Sequence, residues 1–141
     1  MRGASALGDL LEEKPREDLR TLVVWLPILE GDTEAPSAIT AGAVPDRHVR
    51  KAWDPDLRIG IEAARSLPRT AKRPCRMPTG REEPEAVSWD CVLVFEPGAR
   101  WEEKLPAPAW FAGPVIDVID GARRAIDAPL SPASPSPSVS P

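Results

Sequence analysis

The sequence predicts an α/β domain in which helices flank a mixed sheet, and three observations lead there. Apolar segments with helical and with strand spacing alternate along the chain. Two runs, Thr21-Leu22-Val23-Val24-Trp25-Leu26 and Cys91-Val92-Leu93-Val94-Phe95, are almost continuously apolar, as strands covered on both faces are. The length, 141 residues, suits one core rather than two. The predicted organisation is one domain over 1–127, with a mobile insertion at 68–86 and a disordered tail at 128–141.

Leu7, Leu10 and Leu11 recur at helical spacing and Pro15 closes the segment, so a first helix is expected close to Met1. Its apolar spacing begins at once, with no residue ahead of it to cap its free N–H groups. Thr21 to Leu26 reads as a buried parallel strand. A short helical piece is expected from about Ala35 to Ala43, interrupted by Pro36 and Gly42. Arg47 to Trp53 alternates imperfectly and reads as an edge strand.

Asp54-Pro55-Asp56 then sets a capping acid, a helix-first proline and a first-turn acid before Leu57, Ile61 and Ala64. A helix should follow directly. Pro68 to Ala86 holds four prolines, a basic half and an acidic half, without periodicity, and reads as a long loop. After the Cys91 strand, Glu96-Pro97-Gly98-Ala99 fits a type II turn leading to an antiparallel partner around Ala99 to Lys104. Val115, Ile119, Ala122 and Ile126 form the apolar face of a last helix. From Ala128 on, alternating Pro and Ser can bury almost nothing.

Composition narrows the function. Net charge is -4 and the pI about 5.1, so the basic footprint of a nucleic-acid or anionic-membrane binder is missing. The 18 prolines far exceed the average share of about 5%. No apolar run reaches the length of a membrane span, and Asp9 interrupts any secretory h-region. The chain as written is therefore expected in the cytoplasm, with a periplasmic or membrane-tethered setting if a segment precedes it.

His48 is the single histidine, which excludes a multi-histidine metal site, and no Walker loop, G-x-G-x-x-G or H-E-x-x-H occurs. No cofactor or metal is predicted. Asp54 and Asp56 are explained by capping, and Glu82, Glu83 and Glu85 by a solvated charge run. Trp25, Trp53, Trp89, Trp101 and Trp110 suit packing, although Trp110-Phe111 in a Pro-rich stretch could line a groove.

The redox candidates are Cys75 and Cys91. Cys91 opens an apolar strand, where a cysteine usually serves as a small inert hydrophobe. Cys75 stands in Lys72-Arg73-Pro74-Cys75-Arg76, where cations favour a thiolate, with an incidental exposed thiol as the plainer reading. A mobile loop would let the two meet.

The element order, and the phrases Val49-Arg50-Lys51-Ala52-Trp53-Asp54-Pro55-Asp56-Leu57-Arg58-Ile59-Gly60 and Val92-Leu93-Val94-Phe95-Glu96-Pro97-Gly98-Ala99-Arg100-Trp101, resemble the thioredoxin-like superfamily, in its redoxin and thiol-disulfide oxidoreductase branch. The resemblance spans roughly Gly3 to Ile126 and implies a thioredoxin-like mixed sheet. It also implies a first strand and a C-x-x-C at the start of the first helix, and nothing corresponding precedes Gly3 here. The family's cis-proline is missing too, since Val87-Ser88-Trp89-Asp90-Cys91 occupies its place.

Two functional expectations follow. The first is a redox-inactive thioredoxin-like domain serving as a binding or structural module, N-terminally truncated relative to the family. Its incomplete sheet would engage a protein partner or a second copy. The alternative is a thiol-disulfide oxidoreductase or thiol peroxidase whose C-x-x-C lies upstream, with Met1 an internal methionine. A third reading takes the Pro/Ser tail as a PPII ligand.

Overall fold

The computed structural model describes residues 2–13, 16–34, 42–44, 49–79 and 85–128. It is mixed α/β, with helices α1 (Arg2–Glu13), α2 (Arg58–Ser66) and α3 (Val115–Asp127). The strands are β1 (Thr21–Trp25), β2 (Val49–Trp53), β3 (Met77–Pro78), β4 (Ala86–Val87), β5 (Val92–Val94) and β6 (Trp110–Ala112). The expected single sheet is not what forms. Among the described residues the strands make three separate pairs, β1 with β2, β3 with β4, and β5 with β6.

β1 is a parallel strand, as expected, and its partner is β2, in register from Thr21 opposite Val49 to Trp25 opposite Trp53. The Asp54 N–H donates to the Trp25 carbonyl at 3.0 Å and carries the ladder one residue further. Burial on both faces of β1 needs correcting, because Leu22 is 50% exposed and the other four residues are only half-buried. A continuous apolar run states what a strand can bury; neighbouring elements decide what it does bury.

The helix after β2 starts later than its proline suggested. Pro55 and Asp56 form a turn, Leu57 takes a left-handed conformation at φ 62°, and α2 begins at Arg58. Asp54 still does the capping, from within the turn. Its carboxylate, buried at 5% exposure, accepts from the N–H groups of Arg58 (3.0 Å), Ile59 (2.7 Å) and Gly60 (3.3 Å). Three of the orphan donors of the helix end thereby find one negative group at the positive end of the helix dipole.

The segment read as a loop without strand structure forms two short strands in its described parts. Met77 and Pro78 pair antiparallel with Val87 and Ala86, and the Thr79 N–H donates to the Glu85 carbonyl. Arg76 Nη1 donates to the Ala64 carbonyl at 2.6 Å, and the Ser88 N–H to the Gly60 carbonyl at 2.9 Å, so both ends of this hairpin are fastened to α2. Among the described residues Val87 is the largest side chain to be fully buried, and it joins Leu57 and Ile61 in a core that Leu26, Ile28 and Met77 flank.

The Glu96 to Ala99 turn forms as predicted, with Gly98 at φ 81° and the Ala99 N–H donating to the Glu96 carbonyl. The antiparallel partner of β5 is not Ala99 to Lys104 but β6, with Val92, Leu93 and Val94 opposite Ala112, Phe111 and Trp110. Residues 99–104 are exposed and mostly charged, whereas Trp110-Phe111-Ala112 is the apolar run that pairing can bury. The intervening chain is held by the Leu105 N–H, which donates to Glu62 Oε1 of α2 at 3.1 Å.

α3 packs on α1, β5 and β6. Leu10 of α1 and Ala122 of α3 are buried, Arg123 pairs with Glu13, and Arg16 Nη1 donates to the Ile126 carbonyl in the last turn of α3. Gly8 of α1 lies so close to the backbone of Ala43 that a Cβ there would overlap its carbonyl oxygen. Of the predicted helix at 35–43, residues 35–41 lie outside the described residues, and Gly42 and Ala43 form a turn. The predicted tail also lies outside them from residue 129 on.

Asp54→Ala leaves three N–H donors at the start of α2, that of Gly60 buried, without their acceptor and should cost about 1–2 kcal/mol in urea unfolding. Asp54→Asn keeps an accepting oxygen and should lose less.

Candidate functional site

Each redox candidate is positioned by the end of a different element. Cys75 follows α2 and precedes β3, while Cys91 directly precedes β5. The fold brings them together as a disulfide, with a Cα–Cα distance of 5.1 Å across a sequence separation of 16. These are the only cysteines of the chain, and neither is free.

The reading of Cys75 as an exposed thiol is corrected. It is 3% exposed, and its basic neighbours point elsewhere: Lys72 and Arg73 are exposed, and the Arg76 guanidinium is committed to the Ala64 carbonyl. Cys91 is half-buried and bonded rather than a free apolar filler.

The disulfide sits in a closely packed junction. A Cβ placed on Gly113 would lie 2.5 Å from the Asp90 carbonyl oxygen, 2.9 Å from Pro74 Cγ and 3.2 Å from Cys75 Sγ. Only glycine fits there without displacing backbone. The Trp89 N–H donates to the Pro74 carbonyl at 3.3 Å, a second tie between the same two segments. The Arg73–Pro74 and Gly113–Pro114 peptide bonds are both cis.

Asp90 links this junction to the helices. It adopts φ 48°, and its Oδ1 accepts from the Val115 N–H, the first of α3, at 3.1 Å. Pro114, at the N-cap position, supplies no side-chain bond of its own. A Cβ on Gly3 would be 3.6 Å from the same Asp90 oxygen and 3.2 Å from Val115 Cβ. The first turns of α1 and α3 therefore meet at the residue next to Cys91.

The other candidates disperse. His48, Glu82 and Glu83 lie outside the described residues, while Glu85 forms a surface pair with Arg65 and Asp56 one with Arg58. Trp25 pairs with Trp53 across β1 and β2, the Trp110 ring covers Gly121, and Trp101 is exposed, so no tryptophan-lined groove is evident among these three sites. No cluster of three or more potential metal ligands occurs among the described residues. A cavity lined by Leu10, Leu11, Leu19, Arg123 and Ile126 measures about 10 Å³, room for about one water. Among the described residues no helix is long and apolar enough to cross a membrane.

Sequence reasoning missed Asp90 and Gly113. An Asp before a cysteine and a Gly-Pro before a helix are visible in the chain, but only the fold makes the first the cap of the second. Comparison with protein-family models, with characterised proteins and with solved structures finds no match.

The cross-link closes a loop whose entropy in the unfolded chain is worth about 3 kcal/mol by the chain-entropy relation. Replacing both cysteines by serine should therefore lower the unfolding free energy by about 2–4 kcal/mol in denaturant titration.

Proposed function

We propose that the chain is a thioredoxin-like, redox-inactive domain that acts as a binding or structural module and completes its sheet against another polypeptide strand. The observation that carries this reading is the separation of the strand pairs: β1–β2 is parallel, β5–β6 is antiparallel, and no further strand joins either pair among the described residues. A strand edge presents alternating backbone donors and acceptors, a template for an extended segment of a protein partner or of a second copy.

The cysteine arrangement supports the redox-inactive half of the proposal. A dithiol catalyst needs an attacking thiolate that is accessible and stabilised, commonly at a helix amino terminus. Here Cys75 is buried, Cys91 directly precedes a strand, and the two are 16 positions apart. An oxidising, periplasmic setting would preserve such a bond, whereas in the cytoplasm it would meet reducing agents.

One observation favours a thiol-disulfide oxidoreductase as a second reading. Gly3 in the first turn of α1 lies beside Asp90, the neighbour of Cys91, so a C-x-x-C encoded just before this segment would stand near the disulfide. Translation of the DNA in frame before Met1 discriminates the two readings.

Sedimentation velocity across a wide concentration range should show reversible self-association, or a complex once a partner strand is supplied. In insulin reduction with dithiothreitol the chain should add nothing to the uncatalysed rate. Turnover above background that is lost in Cys91→Ser would defeat the proposal.

A further inference from the structure

We propose that the Cys75–Cys91 disulfide is a redox latch on the start of α3, such that its reduction by a dithiol releases Asp90 and opens the first turn of that helix. The inference does not depend on the functional reading above, in which redox-inactive means without dithiol catalysis of its own.

Asp90 holds a left-handed backbone conformation, which for a non-glycine residue persists only where the surroundings enforce it. The enforcement is visible on both sides. Cys91 is bonded to Cys75, and the Trp89 N–H is bonded to the Pro74 carbonyl, so the residues flanking Asp90 are fastened to two consecutive positions of the opposite segment. The covalent tie is the stronger of the two.

What the latch holds is a helix end. The Val115 N–H has the Asp90 carboxylate as its acceptor, Pro114 offers no side-chain cap, and the carboxylate lies at the positive end of the helix dipole. The spot is also full. Two thiols require van der Waals separation where a covalent bond does not, and at Gly113, between the Asp90 carbonyl and Cys75 Sγ, even a methyl group has no room. Reduction must therefore move something, and the segments meeting there are residue 90 and the lead-in to α3.

The exchange starts at Cys91, because Cys91 is half-buried and Cys75 is 3% exposed. A thiolate of the dithiol attacks Cys91 Sγ, the bond to Cys75 breaks, and Cys75 leaves as a thiolate that takes up a proton. The second thiol of the reductant then attacks the reductant's own sulfur in the mixed disulfide and releases Cys91, which is protonated in turn. The protein gains two electrons and two protons, and the dithiol becomes a disulfide.

The test is amide hydrogen exchange on the full chain, oxidised and after reduction by dithiothreitol under native conditions. Exchange at Val115 should quicken on reduction at least tenfold beyond whatever rise the amides of β1, β2 and Ile61 share through the loss of global stability. Asp90→Ala should bring Val115 to the fast rate already in the oxidised chain and leave it insensitive to dithiothreitol. Unchanged exchange at Val115 after complete reduction would overturn the latch. So would a uniform rise at every amide, which would make the bond a general staple, or a disulfide that resists dithiothreitol until the protein is denatured.

Discussion

The covalent link between Cys75 and Cys91 fastens the segment that leaves α2 to the segment that enters β5, and the second half of the molecule is arranged around that point. Next to it, Asp90 turns its backbone and caps α3. The helix so begun covers β5 and β6 and meets α1 along its length. Gly113 lets this happen because the lead-in to the helix passes within contact of the sulfur and the Asp90 carbonyl. Buried area alone would not give this geometry, since burial is non-directional and a disulfide and a cap are not.

The first half depends on a comparable device. Asp54 ends β2, turns the chain through Leu57 and supplies the acceptor for three N–H groups of α2. In both halves a carboxylate outside the helix replaces an N-cap side chain, and in both the strand end and the helix start become one unit. The hairpin of β3 and β4 then docks on α2 and contributes Val87 to the core. The remaining strand pairs are short and two-stranded, which is less than a sheet usually needs for stability of its own, so the helices and the cross-link bear much of the organisation.

Much of the element pattern was legible in the chain. Leu7, Leu10 and Leu11 foretell α1, the run from Thr21 foretells a parallel strand, and Val115 to Ile126 foretells α3, because side-chain periodicity is a local property. The turn at Pro97-Gly98 was legible for the same reason: one residue presets φ and the next permits a positive φ. Asp54 was recognisable as a cap, although its helix starts at Arg58 rather than at Pro55.

What the tertiary structure decided concerns groups far apart in sequence. Which apolar run pairs with β5 is settled by what pairing can bury, so β6 prevails over the nearer, charged residues 99–104. The proline-rich segment after α2 acquires a hairpin because Cys75 and Arg76 anchor it, and neither anchor has a periodicity to detect. Asp90 caps a helix that begins 25 positions later, and two cysteines 16 positions apart find bonding distance. By itself the sequence determined the three helices, β1, β2 and β5 in their order, since these follow from steric preference and hydrophobic period along the chain. The pairing of strands, the disulfide and the Asp90 cap were decided by the fold, because each needs two segments brought together in space before its energy exists.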